Sequence, residues 1–330
     1  MSGLSKKKNV IIGICAIMMV MMLSACGAKS TPSTNNDVQS GADNTEVRVI
    51  KHSMGEASVK GTPLRIVVLT NESTEAVLAL GLKPVGAVKS FTGDPWYDHI
   101  EDQMEGVEVL GEEGQPNLES IIALQPDIII ANKMRHEKIY DQLKAIAPTV
   151  VSETLRGEWK NNFALYAEAL NKTAEGEELI QRFDERIEQF KAEAGDKLNE
   201  TVSFVRFMGG KTRVYHTDTF SGIISAQIGL ARNDMTLNAK DTFVDEITKE
   251  RLPEADAHRI FYFTYEKGDG GGNDQETEWT QDPLWLGLSA VKEGRAYRVD
   301  DAIWNTAGGI IAANLMVEQL ADFYEINLTQ

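Results

Sequence analysis

From Trp159 to Ala194 the chain carries no strand signal, while on both sides of that interval short apolar runs alternate with helix-like segments. Within it, Ile180, Phe183, Ile187 and Phe190 recur at the spacing of one helical face. Thr173, with Glu175, Glu177 and Glu178, marks the start, where carboxylates suit the positive end of the helix dipole, and Gly195 marks the end. The spacing predicts one helix over 174–194, roughly 30 Å long at about 1.5 Å per residue. A rod of that length joining two α/β blocks is a span between two lobes.

Ahead of the rod, apolar runs at 64–69, 85–88, 127–130 and 149–151 alternate with helical stretches at 74–82, 118–124 and 137–146. This is the rhythm of βα units with buried parallel strands. Behind it, strand signals at 202–207, 213–216, 259–265 and 296–299 enclose helical stretches at 220–228, 282–291 and 310–324, so the second half repeats the idiom. The glycine-rich segment at 268–274 follows a strand but lacks GxGxxG spacing, and reads as a mobile loop rather than a nucleotide site. One element recurs in both halves: a short helix, a Pro-Asp or Pro-Glu turn and a strand, at 117–130 and again at 247–261, with Glu119 and Glu250 in matching places. The expected fold is α/β, with two Rossmann-like lobes bridged by one long helix and a ligand cleft between them.

Lys6, Lys7 and Lys8 precede an apolar run at 10–23, and Ser24-Ala25-Cys26-Gly27 follows, in the pattern of a cleaved leader. The run is shorter than the roughly 20 residues that a spanning helix needs. Leu23-Ser24-Ala25-Cys26 looks like a bacterial lipobox, in which cleavage leaves Cys26 at the N-terminus carrying lipid. The polar stretch 28–45 reads as a flexible tether. The expected organisation is therefore a signal peptide at 1–25, a lipidated N-terminus and tether at 26–45, an N-terminal lobe at 46–158, a helical segment at 159–198 and a C-terminal lobe at 199–330.

Composition excludes several functions. With 33 Lys and Arg against 50 Asp and Glu, and no basic cluster beyond the leader, the chain lacks the basic face that nucleic acid requires. Cys15 and Cys26 both precede the globular body, which leaves it without disulfides or thiolate metal sites. His52, His99, His136, His216 and His258 are scattered singly, unlike direct metal ligands. No GxSxG elbow, P-loop or HExxH is present, so an extracytoplasmic hydrolase is the weaker alternative and no enzyme is expected.

Taken together, the lipobox, the tether, Asn71-Glu72-Ser73-Thr74-Glu75, the Asn-Leu-Glu segment from Asn117 to Asp127, the linking helix and the closing segment from Asp301 to Gly309 resemble the helix-linked substrate-binding proteins of iron-siderophore ABC importers. The likeness is greatest to Gram-positive lipoproteins for ferric hydroxamates and citrate-hydroxamates such as schizokinen. It implies a receptor on the outer face of the cell membrane, monomeric before docking, that binds a ferric siderophore between its lobes with little hinge closure. It also implies delivery to permease subunits served by a cytoplasmic ATPase, docking through Glu119 and Glu250, and no cofactor beyond the cargo itself. Haem is the alternative cargo, with Met208 or His216 as an axial ligand.

Such cargo calls for guanidinium donors and aromatic walls. Arg135 lies just past the strand at 127–131, at the sheet edge where open α/β folds place ligands. Arg206 sits inside an apolar run, where an unpaired charge is costly and a purpose is expected. Tyr215 and His216 end the next strand, and Trp285 and Phe91 are further aromatic candidates. The resemblance puts Trp304 on the pocket wall. Because the closing segment reads Trp304-Asn305-Thr306-Ala307 rather than carrying several arginines, it favours a hydroxamate-containing ligand over a polycarboxylate.

Overall fold

The computed structural model describes residues 46–155 and 157–328; Cys15, Cys26 and the tether lie outside them. The first sheet is wholly parallel, with strand order Glu108–Val109, Gly86–Ala87, Ile66–Val68, Ile128–Asn132 and Thr149–Ser152. Ile66–Val68 and Ile128–Asn132 are buried along their whole length, as apolar strands covered on both faces must be. The helix Asn71–Ala79 starts directly after the first of these strands, three residues earlier than the apolar pattern suggests. Thr70 sets that start: its hydroxyl accepts from the Ser73 amide at 3.2 Å in a reciprocal capping box. The early start carries Glu72 and Glu75 into the interior.

The second sheet is mixed. Its order is Val244–Ile247, Lys211–Tyr215, Val202–Met208, Arg259–Tyr265 and Ala296–Arg298, the first two strands antiparallel to their inner neighbours and the last three parallel. The second half thus departs from the all-parallel idiom. The cause is local, because the two residues Gly209-Gly210 can connect antiparallel strands but cannot make a crossover.

Two further features differ from the sequence expectation. Strands Val47–His52 and Gly55–Lys60 form a hairpin that docks on the first sheet through the Ser53 amide and the Val151 carbonyl at 3.0 Å. The glycine-rich segment is not simply a loop, since a helix, Gly271–Thr280, begins inside it. Glu266 organises that start: its carboxylate accepts from the amides of Gly268, Gly270, Gly272 and Asn273 at 2.7–3.1 Å. These bonds hold its pKa down at about 2.

The linking helix runs Thr173–Ala194 and ends at Gly195, whose φ of 51° suits a residue without a side chain. Phe183, Ile187, Phe190 and Ala194 are buried along one face. Phe183 meets Trp159 edge-on at 5.0 Å, and Phe190 meets Tyr324 at 5.8 Å. The repeated element is also present, as a helix Leu118–Ala123 before Ile128–Asn132 and a 3₁₀ turn Lys249–Ala255 before Arg259–Tyr265. Pro253 inside the second copy removes an amide and accounts for the tighter turn.

Separate apolar clusters cover the outer faces of the two sheets, but one continuous cluster runs from Ile66 and Val68 through Phe183 and Phe190 to Phe261 and Trp304. A buried carboxylate joins the lobes as well. Glu75 Oε2 accepts from the Ala312 amide at 2.9 Å, in the first turn of the closing helix Ile310–Phe323, and Glu75 Oε1 meets His99 Nε2 at 2.6 Å. Gly309 makes this approach possible: a Cβ there would lie 2.6 Å from Glu75 Oε2 and 2.7 Å from Glu75 Cβ. Gly309→Ala is therefore expected to destabilise the protein by about 1–3 kcal/mol, seen as a lowered midpoint in thermal or urea unfolding; an unchanged midpoint would show that the contact yields freely.

Candidate functional site

The two lobes enclose a cleft of about 320 Å³. Glu72, Phe91, Glu113, Arg135 and Leu155 face it from the N-terminal lobe, with Trp159 at the start of the next helix; Arg206, Arg213, Tyr215 and Tyr265 face it from the C-terminal sheet, with Phe243 just ahead of its edge strand and Asn305 to Gly308 closing one end.

Arg206 reaches the cleft from the middle of Val202–Met208. Its guanidinium forks onto Asp301, Nε to Oδ1 at 2.6 Å and Nη2 to Oδ2 at 2.9 Å, and Nη1 donates to the Tyr215 hydroxyl at 2.9 Å. It also lies 4.8 Å from the centre of the Tyr265 ring. Burial opposes the charge, but Asp301 and Tyr215 outweigh it and hold the guanidinium above its ordinary value. Directly opposite Arg206, across the hairpin, stands Arg213. Like charges in that register repel, and the fork onto Asp301 offsets the repulsion for Arg206 alone. Arg213 has only Glu246 at 3.7 Å, and its Nε is buried with no partner among the described residues.

On the facing wall, Arg135 Nε donates to Glu113 Oε1 at 2.9 Å. Glu113 sits at the tip of the hairpin Gly111–Glu112/Gln115–Pro116, buried, and its Oε2 accepts from the amide and side chain of Asn71 at 3.2 and 3.0 Å. Glu72 has no such cation. Its Oε1 accepts from Asn162 Nδ2 at 2.9 Å and from the Tyr166 hydroxyl at 3.1 Å. Burial raises its pKa from 4.5 to about 8, against the pull of those two hydrogen bonds, so the carboxyl is mostly protonated at neutral pH.

The cleft thus gathers Arg135, Arg206, Tyr215 and Phe91, but not the other three pocket candidates. Trp304 is fully buried, stacked on Phe261 at 4.7 Å with its indole nitrogen donating to Gln319, because a π-helical turn at Ala302–Thr306 aims the ring inward and presents Asn305 and Thr306 instead. Trp285 packs in the outer core against Phe207 and Tyr262. His216 is buried beside Thr236 and Asp245, and burial lowers its pKa. Glu119 and Glu250 are exposed on the two repeated elements, away from the cleft. Sequence reasoning missed Glu72, Glu113, Arg213, Tyr265 and Asp301. Only Arg213 had a usable signal: a two-residue Gly-Gly turn fixes the register that sets it opposite Arg206.

A family model described as periplasmic binding protein matches residues 66–303. The chain belongs to this family. Among relatives of this binding protein, the probable siderophore-binding lipoprotein YfiY of Bacillus subtilis (strain 168) is 48% identical over 325 residues, covering 96% of this chain and 98% of the relative. The Fe(3+)-citrate-binding protein YfmC of the same strain is 32% identical, covering 92% and 93%. Staphylococcus aureus SirA, solved in complex with staphyloferrin B, superposes with a TM-score of 0.77 at 34% identity, covering 86% of this chain and all of SirA. Family and relatives are binding proteins. Among the described residues, no helix is long and apolar enough to cross a membrane.

A carboxyl whose pKa is raised in the native state keeps a proton that the unfolded chain releases. Its contribution to stability is full below about pH 4.5, falls as pH rises towards about 8 and is level beyond. Glutamine cannot ionise. The melting temperature of Glu72→Gln relative to the wild type should therefore climb between pH 5 and pH 8 and then flatten; a difference that does not change with pH would contradict a protonated Glu72.

Proposed function

We propose that the chain is a lipid-anchored receptor on the extracytoplasmic face of the membrane. It captures a ferric siderophore of hydroxamate or citrate-hydroxamate type, such as schizokinen, and delivers it to an ABC importer permease for iron uptake. The observation that carries this reading is the Arg206–Arg213 pair in an aromatic-walled cleft between lobes, in a chain nearly half identical to a siderophore-binding lipoprotein over its whole length. Among the described arginines of the cleft, Arg213 has the most donor capacity left for a bound anion. Arg206 and Arg213 stand on strands and Arg135 on a short helix, none of them on the closing segment, so the absence of arginines after Trp304 does not argue against carboxylates. A citrate-bearing hydroxamate satisfies both the cations and the aromatic wall. The iron arrives chelated, as cargo, and no resident cofactor or bond-breaking step is assigned. Haem is less favoured, because His216 is buried and neither it nor Met208 lines the cleft.

Trp159 lines the cleft, so its fluorescence reports occupancy. Titration of residues 28–330 with ferric schizokinen, a ferric trihydroxamate, ferric citrate, a ferric catecholate and haem should give saturable sub-micromolar quenching with the hydroxamate-containing complexes. Arg213→Ala should weaken that binding tenfold or more, from a charged hydrogen bond worth roughly 1.5–3 kcal/mol. Silence with every iron chelate, or tight binding of haem alone, would overturn the reading.

Delivery is assigned to Glu119 and Glu250, one exposed carboxylate on each repeated element, facing permease arginines. Reversing both, Glu119→Arg with Glu250→Arg, should leave quenching intact and abolish cellular uptake of radiolabelled iron; normal uptake would refute the docking role.

A further inference from the structure

We propose that Glu72 reads the cargo as a neutral acid, donating the hydrogen on its Oε2 to an acceptor oxygen of the bound ferric chelate. This rests on the cleft being the siderophore site. Glu72 lines the cleft yet is only 6% exposed, so most of it is walled by protein and the remainder faces the ligand space. Its Oε1 already accepts two hydrogen bonds, from Asn162 and Tyr166, both on the helix Trp159–Ala169. Those donors use the lone pairs of that oxygen and leave Oε2 as the place for a proton.

Beyond the two hydrogen bonds on Oε1, the surroundings offer an ionised Glu72 no cation among the described residues. On its own helix stands Glu75, which is engaged with His99. On the neighbouring hairpin stands Glu113, engaged with Arg135. Tyr166 is bound to Ser152 at 2.7 Å. Across the cleft, Arg206 is held by Asp301, and Arg213 stands on the opposite strand. No ion pair to Glu72 exists among the described residues, and a buried, unpaired carboxylate beside two others is costly. The raised pKa of Glu72 agrees with this placement. A neutral carboxyl can donate to an anionic ligand, whereas a carboxylate would repel it. Loss of the proton therefore removes a hydrogen bond and adds a repulsion at one position, so the site is tuned to lose anionic cargo as pH rises.

The test measures the affinity of wild type and Glu72→Gln for ferric schizokinen from pH 7 to pH 9. Glutamine keeps an N–H donor but cannot ionise, and pH effects on the chelate itself cancel in the ratio. The dissociation constant of the wild type relative to Glu72→Gln should rise about tenfold over that range, as expected for a group titrating near the middle of it. A ratio that stays constant while both proteins bind tightly would overturn the role of Glu72 and leave the cleft assignment standing. Failure of the wild type to bind any ferric siderophore at pH 7 would overturn both. Should Glu72→Gln not fold, calorimetry of the wild type at pH 8 in buffers of different ionisation enthalpy serves instead: net proton uptake on binding supports the proposal, and none overturns it.

Discussion

The arrangement of the molecule depends on a carboxylate that is out of reach of water. Glu75 leaves the first helix of one lobe and accepts from the amide end of the closing helix, where the helix dipole favours a negative charge. Its other oxygen is taken by His99, which stacks on Tyr97 at 5.5 Å. Separating the lobes would break the bond from the Ala312 amide to Glu75 and expose apolar surface of the shared core to water. Arg186 of the linking helix adds a bond to Asn314 of the closing helix at 2.8 Å. With the rod fastened along its length, large hinge motion would break several buried contacts together. Contacts of this kind hold the two walls of the cleft in register without a ligand between them.

Within the cleft, charge is distributed unevenly. Of the three cleft arginines among the described residues, two are already matched with acids, Arg206 with Asp301 and Arg135 with Glu113, and so act mainly as fixed donors of known direction. Arg206 also holds the aromatic rings: Tyr215 is bound through its hydroxyl, and Tyr265 lies under the guanidinium. Arg213 is the opposite case, a strand residue whose charge is poorly balanced by the protein. The paired arginines, one on each wall, therefore supply shape and direction, while Arg213 supplies most of the unmet attraction among the described residues.

How much of this the sequence disclosed follows from how local each cause is. The linking helix was legible because Phe183, Ile187 and Phe190 repeat at its own period, and the parallel first sheet because Ile128, Ile129 and Ile130 form an unbroken apolar run. Arg206 was legible as a charge that needed a reason to sit in an apolar strand, although its acid, Asp301, lies 95 positions away and left no local trace. Trp304 misled because a polar turn follows it: the π-helical turn separates the direction of the ring from that of its neighbours, and nothing in the residue order encodes such a turn. Glu72 and Glu75 entered the sequence reading only as part of the segment Asn71-Glu72-Ser73-Thr74-Glu75, with no site role. Their burial comes from partners on distant segments, Asn162, Tyr166 and Ala312.

The carboxylate of Glu266 has a consequence for what the cleft ignores. A glycine-rich bend leading into a helix presents converging amides, the usual trap for phosphate or sulfate. Here the four amides at the lip of the cleft are satisfied by the chain's own acid, which stays ionised far below neutral pH. Phosphate or sulfate would find that trap already filled, so the glycine-rich bend offers no anion site of its own beside the cleft.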